Sequence, residues 1–345
     1  MKVRAAYRGG FTYADTRTAG VVQGEGMVLD VNSLYPFIMY SRPLPFGKPI
    51  SVDIPPEEIS DDYLWVATFR FTAKLKERGI PCIQLRGSHR ANPTEYLRSV
   101  DEPTEMRMTN VDWSLINDMY DVELYSYSDV TIFHCRVGAF KDYIDKWMGV
   151  KEVSTGGKRQ IAKLMLNSLY GKFAARIERR NKLPELHNGV VNYVASENEE
   201  VVKPVYTPVG VFVTAWARDY TIRSAAANYD RFLYADTDSL HLKGTEPPEG
   251  LDIHPTRLGA WKIEGTFDRA IFVRAKQYCE VSDGVPDTHI AGLPRKNPHT
   301  GRPYEIWPED LLTRQTYDGK LVPKMIAGGT FLTETHFTFT PVKES

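Results

Sequence analysis

Asp236 and Asp238 stand two positions apart in Tyr234-Ala235-Asp236-Thr237-Asp238-Ser239, flanked by hydroxyl side chains. Residues 231–234 and 240–242 alternate as strands do, so the segment predicts a hairpin with both carboxylates at its tip. Carboxylate oxygens are hard ligands suited to Mg²⁺. Two such ions, about 3.5–4 Å apart, stabilise the attacking and leaving oxygens of an in-line phosphoryl transfer. For an isolated Asp-Thr-Asp the plainer reading is an acidic turn. Companions elsewhere in the chain decide between the two.

Residues 25–31, Glu-Gly-Met-Val-Leu-Asp-Val, are a short apolar run ending in a carboxylate. They predict a buried strand that delivers Asp30 at its end, a rigid place to mount a metal ligand. Ser33 follows as a candidate cap of a short helix. Tyr35 would sit one turn past the carboxylate, either beside whatever the metals bind or in the core. Further on, residues 158–173 have helical period after a break at Gly156-Gly157. At 100° per residue Arg159, Lys163, Asn167 and Tyr170 share one stripe, and Ile161, Leu164 and Met165 point away from it, towards an expected core. Two cations, an amide and an aromatic suit a nucleoside triphosphate. A solvated polar face is the bland alternative.

Taken together, the ordered segments Asp-x-x-Ser-Leu-Tyr-Pro (30–36), Lys-x-x-x-Asn-Ser-x-Tyr-Gly (163–171) and Tyr-x-Asp-Thr-Asp-Ser (234–239) resemble the family-B DNA polymerases. Five fixed letters arise by chance about once in 10⁴ chains of this size, and three ordered motifs far less often. Tyr7-Arg8-Gly9-Gly10 and Lys276-Gln277-Tyr278 match two further elements of that family. Longer stretches look like its protein-primed branch, of the Bacillus phage phi-twenty-nine type. The likeness is to the polymerase half, and nothing resembles the N-terminal proofreading exonuclease.

The resemblance implies an α+β, right-hand polymerase fold of palm, fingers and thumb with two family-specific insertions. Palm would be 1–41 and 207–290, fingers 139–174 and thumb 291–345. Residues 42–138 and 175–206 would be the insertions, terminal-protein regions 1 and 2. Asp30 and Asp238 would bridge two Mg²⁺ ions, with Mn²⁺ as a substitute, the Val31 carbonyl as a further ligand and Asp236 in support. Lys163, with Lys151 and Arg159, would bind the triphosphate, and Lys163 could protonate the departing pyrophosphate. Ser33, Leu34, Asn167 and Tyr170 would line the nucleotide site, and Tyr35 would exclude a 2′-hydroxyl. Tyr7, Gly9, Gly10, Ser168, Gly171, Thr237, Lys276 and Tyr278 would meet DNA. Residues 274, 276, 278 and 280 alternate with apolar neighbours, which predicts one strand with Arg274, Lys276, Tyr278 and Glu280 on a shared face.

Expected partners are primer–template DNA and dNTPs, with a terminal protein and a separate exonuclease chain as further partners of the branch. The chain has 345 residues, 42% hydrophobic and 25% charged, ordinary for a globular protein. No apolar run approaches the 18–20 residues of a membrane helix, so no membrane is expected and the cytoplasm fits, that of the host cell for a phage protein. Three scattered cysteines, Cys82, Cys135 and Cys279, suggest neither a disulfide framework nor a zinc site. The net charge of −1 is not a nucleic-acid footprint. Between Lys151 and Lys182, however, lie nine Lys or Arg against two acids, and a cleft of one sign focuses the field locally.

Residues 175–206 read as short, polar and turn-rich, and residues 209–229 as a helix feeding the acidic hairpin. Asp121-Val122-Glu123 imitates an exonuclease carboxylate pair without its companion motifs and reads as surface charge, so no 3′–5′ exonuclease is expected from these residues. Three rivals remain. A reverse transcriptase would more often place two Asp side by side, where Thr237 separates them here. A primer-independent polymerase is separated by a template-only synthesis assay. A catalytically inactive DNA- or terminal-protein-binding module would be free to lose Asp30, Asp236, Asp238 and Lys163, all of which are intact.

Overall fold

The computed structural model describes residues 2–84, 96–175, 178–187, 189–201, 205–320, 322–326 and 329–339. The chain forms two compact units, one of residues 1–13, 27–175 and 205–265, the other of 14–26, 176–204 and 266–345. Strands and helices are numbered in chain order.

The first unit holds a five-stranded sheet in the order β1 (Thr12–Ala14), β10 (Phe232–Asp236), β11 (Ser239–Lys243), β3 (Gly26–Val31) and β12 (Trp261–Phe267). β10 and β11 are antiparallel with Asp236 opposite Ser239, leaving Thr237-Asp238 as a two-residue turn. Phe232 to Ala235 are all buried rather than alternating, the pattern of a strand covered on both faces. Helix α5 (Thr207–Ala227) is apolar on nearly all sides and therefore buried nearly all round. Pro208 sits in its first turn, where a missing N–H costs nothing.

Short α1 (Leu34–Ser41) follows β3, and α3 (Lys141–Val153) and α4 (Gly156–Ala174) form a helical pair. The break between α3 and α4 falls at Ser154-Thr155, two residues before the expected glycines, which instead open α4. A Cβ on Gly210 would lie 2.7 Å from the Phe173 carbonyl, so glycine lets α5 approach the end of α4.

Residues of the first expected insertion form a second sheet, ordered β4 (Leu44–Ser51), β7 (Tyr120–Arg136), β5 (Tyr63–Leu75) and β6 (Ser99–Thr109). Helix α2 (Asn110–Met119) covers it, with Trp113 stacked on Phe69 at 4.0 Å between ring centroids. Thr109 caps α2 by accepting the Asp112 N–H at 3.0 Å, which satisfies one free N–H of the first turn, and its hydroxyl donates to the Asp112 carboxylate at 2.8 Å. The same carboxylate receives Arg218 of α5 at 2.6 and 3.1 Å, and both side chains are buried. Arg218 Nη1 also donates to the carbonyls of Arg8 and Gly9, at 2.9 and 2.8 Å.

The second unit has its own core of Ile271, Val273, Cys279, Val281, Ile290, Ile306, Leu311 and Phe339. One sheet orders β15 (Val285–Ile290), β14 (Gln277–Ser282), β13 (Arg269–Arg274) and β2 (Val22–Gln23). Another orders β18 (Gly329–Thr333), β17 (Val322–Ile326), β9 (Val190–Val201) and β8 (Glu178–His187), and β16 (Gln315–Asp318) pairs with β19 (His336–Phe339). Two expectations change here. Residues 175–206 are mainly a long hairpin, β8–β9, because backbone pairing tolerates their polar side chains. Arg274, Lys276, Tyr278 and Glu280 do not share one strand: Arg274 ends β13, Lys276 occupies the turn at φ 58°, and only Tyr278 and Glu280 lie on β14. The end of the last expected piece, 340–345, lies outside the described residues.

Removing one partner of a buried ion pair leaves an uncompensated charge, at about 3–5 kcal/mol. Asp112→Ala is therefore expected to lower stability by about that much, read as a lower midpoint of urea denaturation. An unchanged midpoint would show that the Arg218 contacts to Arg8 and Gly9 suffice by themselves.

Candidate active site

Asp30 lies at the end of β3 and Asp238 in the β10–β11 turn, and the Val31 N–H donates to the Asp238 carbonyl at 2.8 Å. The two carboxylate-bearing positions are thus locked side by side by the backbone. Burial, then the charges of Asp238 and Glu264, push the Asp30 carboxyl up to about 6, while Lys262 and Lys163 pull the other way. Asp236 accepts from the hydroxyls of Thr12 at 2.9 Å and Thr237 at 3.3 Å, which hold its orientation.

Thr237 takes a left-handed backbone, φ 61°, uncommon for a β-branched residue. Its N–H donates to the Phe11 carbonyl at 2.6 Å and its own carbonyl accepts from Thr221 at 2.7 Å. A Cβ on Gly10 would fall 2.5 Å from the Thr237 hydroxyl. Gly10 therefore makes room for the hairpin tip, whereas a Cβ on Gly9 would meet open space.

Among the described residues no group of three or more His, Cys, Asp or Glu side chains converges as a metal site. The leading donors are the Asp30 and Asp238 carboxylates with main-chain oxygens, and Asp236, held by the Thr12 and Thr237 hydroxyls, and Glu264 are further carboxylates nearby. That sparse set fits Mg²⁺, which keeps several waters and binds through one or two carboxylates plus substrate phosphates. Two like charges held close against burial also fit a cation, since each raises the cost of the other.

Three aromatic side chains meet nearby. Tyr35 of α1 stacks on Tyr170 of α4, ring centroids 4.3 Å apart, and the Tyr170 and Tyr7 hydroxyls share a 2.6 Å hydrogen bond. Burial first, then Tyr7 and Asp238, push the Tyr35 hydroxyl up to about 12, so it is a neutral phenol at any working pH. Lys151 Nζ donates to the Ser33 hydroxyl at 3.2 Å, and Arg159 Nη1 donates to the Lys151 carbonyl at 2.8 Å. Burial, followed by the cations Arg159 and Lys163, pushes Lys151 down.

Several expectations shift in detail. Ser33 occupies the residue before α1 but makes no capping hydrogen bond, since its backbone is left-handed and its hydroxyl faces Lys151. Leu34 is buried, main chain included. On α4, Ile161 and Leu164 are 56% and 65% exposed, and the core face is Ala162 and Leu166 instead. Tyr170 leans to that inner side, while Arg159, Lys163 and Asn167 remain exposed. Ser168 donates to the Met165 carbonyl at 3.5 Å, and Gly171 is exposed. Lys276 and Tyr278 belong to the second unit, where Tyr278 stacks between Phe272 and His289 at 5.6 and 4.7 Å.

Sequence reasoning missed Thr12, the Asp112–Arg218 pair, Lys262 and Glu264. Lys262 and Glu264 alternate on β12, a visible strand signal, but nothing in the order of residues places β12 beside β3. The contacts of Thr12, Asp112 and Arg218 span 224 and 106 positions and left no local trace.

Fold and site define an α+β polymerase scaffold, with a carboxylate hairpin bonded to the end of β3 and the Lys163 charge of α4 acting on Asp30. The model of a family described as DNA polymerase type B, organellar and viral, matches residues 1–254, and the chain belongs to that family. It is 47% identical to the DNA polymerase of Bacillus phage Nf over 283 residues, 81% of this chain and 49% of that one. To the DNA polymerase of Streptococcus phage Cp-1 it is 35% identical over 320 residues, covering 90% and 56% of the two. The chain thus spans about half the length of these relatives. Among solved structures, phi29 DNA polymerase complexed with primer–template DNA and incoming nucleotide is similar with a TM-score of 0.86 at 41% identity, covering 98% of this chain and 62% of that one.

The raised Asp30 carboxyl has a consequence for stability. Its proton is held more tightly folded (about 6) than unfolded (3.8). The folded state therefore loses stability as pH rises between those values, and the cost is fully present above about 6. Asp30→Asn is expected to raise the melting temperature at pH 8 by roughly 2–5 °C. The gain should shrink as pH falls from 6 towards 4, and Mg²⁺ should stabilise the wild type more than the variant. Thermal melts across pH, with and without Mg²⁺, check this; an equal gain at every pH would contradict it.

Proposed function

We propose that this chain is a template-directed DNA polymerase, adding dNTPs to a primer 3′-hydroxyl by nucleotidyl transfer at the Asp30–Asp238 pair. The observation that carries this reading is the convergence of those two carboxylates, held together by backbone, with the cations of α3 and α4 and the Tyr7–Tyr35–Tyr170 cluster. The family relation and the likeness to a polymerase complexed with primer–template and nucleotide support it. Two Mg²⁺ ions would supply charge stabilisation on the attacking and leaving oxygens.

The chain's own residues do the rest. Asp30 and Asp238 must be ionised to hold cations, so protons compete with Mg²⁺ at Asp30, whose proton burial favours, and activity should fall on acidification and be partly restored by more Mg²⁺. Lys151 and Arg159 hold the triphosphate, and the Lys163 ammonium donates a proton to the departing pyrophosphate. The 3′-hydroxyl loses its proton to solvent, the bond formed joins the 3′-oxygen to the α-phosphorus, and the bond broken joins that phosphorus to the bridging oxygen that leaves with the pyrophosphate. Asn167 and Tyr170 flank the nascent pair, and the Tyr35 ring fills the volume a ribonucleotide 2′-hydroxyl needs. Gly9, Ser168 and Gly171 face DNA in this reading, with Lys276 and Tyr278 on primer phosphates, contacts that position without reading sequence. Residues 42–138 and 175–206 serve as terminal-protein regions, so that a terminal-protein hydroxyl can replace the primer hydroxyl.

Asp238→Ala is expected to abolish incorporation while leaving duplex binding near that of the wild type. Primer extension and gel-shift assays on the same preparations check this, and synthesis by the variant would overturn the assignment. Tyr35→Val should lower the dNTP-over-rNTP ratio of kcat/KM by at least about tenfold, since the steric contact is lost rather than a binding group. An unchanged ratio would make Tyr35 only the packing partner of Tyr170.

A further inference from the structure

Four cations, Lys151, Arg159, Lys163 and Lys262, share one neighbourhood of the first unit. Arg159 bonds the Lys151 carbonyl, and Lys151 bonds Ser33, three residues past Asp30. Strand β12, which carries Lys262, is the sheet neighbour of β3, which carries Asp30. The Asn32 N–H donates to the Ala260 carbonyl at 3.0 Å, two residues from Asp30 on one side and two from Lys262 on the other. Lys262 is accordingly felt by both ends of the site, by the Asp30 carboxyl and by the Lys151 amine.

Lys262 and Glu264 occupy alternate positions of β12 and so face the same side. They are ion-paired and both partly exposed, and an exposed pair of this kind adds little to stability. The pairing with Glu264 therefore does not by itself account for this cation. Like charges gathered around one point repel, and a multiply charged anion relieves the repulsion. A triphosphate is such an anion.

We propose that Lys262 is a further nucleotide-binding residue of this site, reaching the β- and γ-phosphates from β12. Glu264 holds the ammonium in place until the triphosphate arrives. The inference rests on the polymerase reading above and adds to it a cation outside every motif that the sequence displays.

Single-nucleotide incorporation by the whole chain tests it, comparing wild type, Lys262→Ala and Lys262→Arg. Loss of a charged contact to phosphate is expected to raise the dNTP KM of the Ala variant about tenfold. The Arg variant should stay near wild type, and primer–template affinity should be unchanged in both. Inorganic tripolyphosphate, as a competitive inhibitor, should weaken by a similar factor against Lys262→Ala. Unchanged KM and unchanged tripolyphosphate inhibition would overturn the proposal, as would a loss confined to kcat or to Mg²⁺ requirement, which would make Lys262 a tuner of Asp30. Calorimetric binding of tripolyphosphate to wild type and Lys262→Ala reads Lys262 even if no variant incorporates nucleotide. Wild-type incorporation decides the polymerase reading separately.

Discussion

Asp30 and Asp238 repel each other, and the backbone is what keeps them together. The Val31 N–H bond to the Asp238 carbonyl sets β3 against the hairpin turn, and the Thr237 bonds to Phe11 and Thr221 fix the turn from either side. Behind Phe11 lies the glycine loop, whose Arg8 and Gly9 carbonyls are gripped by Arg218, itself neutralised by Asp112. The chain of contacts runs from α2, through α5 and the glycine loop, to the carboxylates. Apart from the short covalent step from the glycine loop to Phe11, each link is a hydrogen bond or ion pair between separate segments. Loosening any of them lets the two charges relax apart, the direction electrostatics favours.

The opposite sign is concentrated as deliberately. Lys151 is half-buried among other cations, and its ammonium is weakened by that setting. Both clusters are unfavourable in the free protein, and in the function proposed above each meets its complement, cation for the carboxylates and phosphate for the amines. Such sites trade stability for preorganisation. The surrounding structure carries the cost: the apolar α5 is buried over most of its length and supplies much of the core that the sheet and α4 pack against.

Tyr7, Tyr35 and Tyr170 join three chain segments at one point. A hydroxyl bond and a ring stack link the loop before β1, the helix after β3 and the long helix α4. Aromatic pairs add about 0.5–1.5 kcal/mol beyond area burial, enough to order α4 against α1 without freezing it.

Much of the site was legible in the sequence because its parts are local. The Asp-Thr-Asp turn, the apolar run ending at Asp30 and the helical stripe of Arg159, Lys163 and Asn167 each declare themselves within ten residues, and hairpin, strand and helix all formed there. Periodicity could not say which side of α4 faces inward: Ile161 and Leu164 are as apolar as the buried Leu166, and only the packing of α4 against its neighbours chose Ala162 and Leu166. Nor could it separate a strand from a turn at Lys276, since a tight hairpin preserves alternation on both sides of its tip. Ser33 looked like a cap by residue type, but a lysine 118 positions away claims its hydroxyl. The sequence by itself determined the chemistry, because carboxylate and cation identities and their short spacings are written in order. The tertiary structure alone decided which distant groups complete the site, Thr12, Arg218, Asp112, Glu264 and Lys262 among them, because strand order and helix packing are set by burial across the whole unit, not by neighbours in the chain.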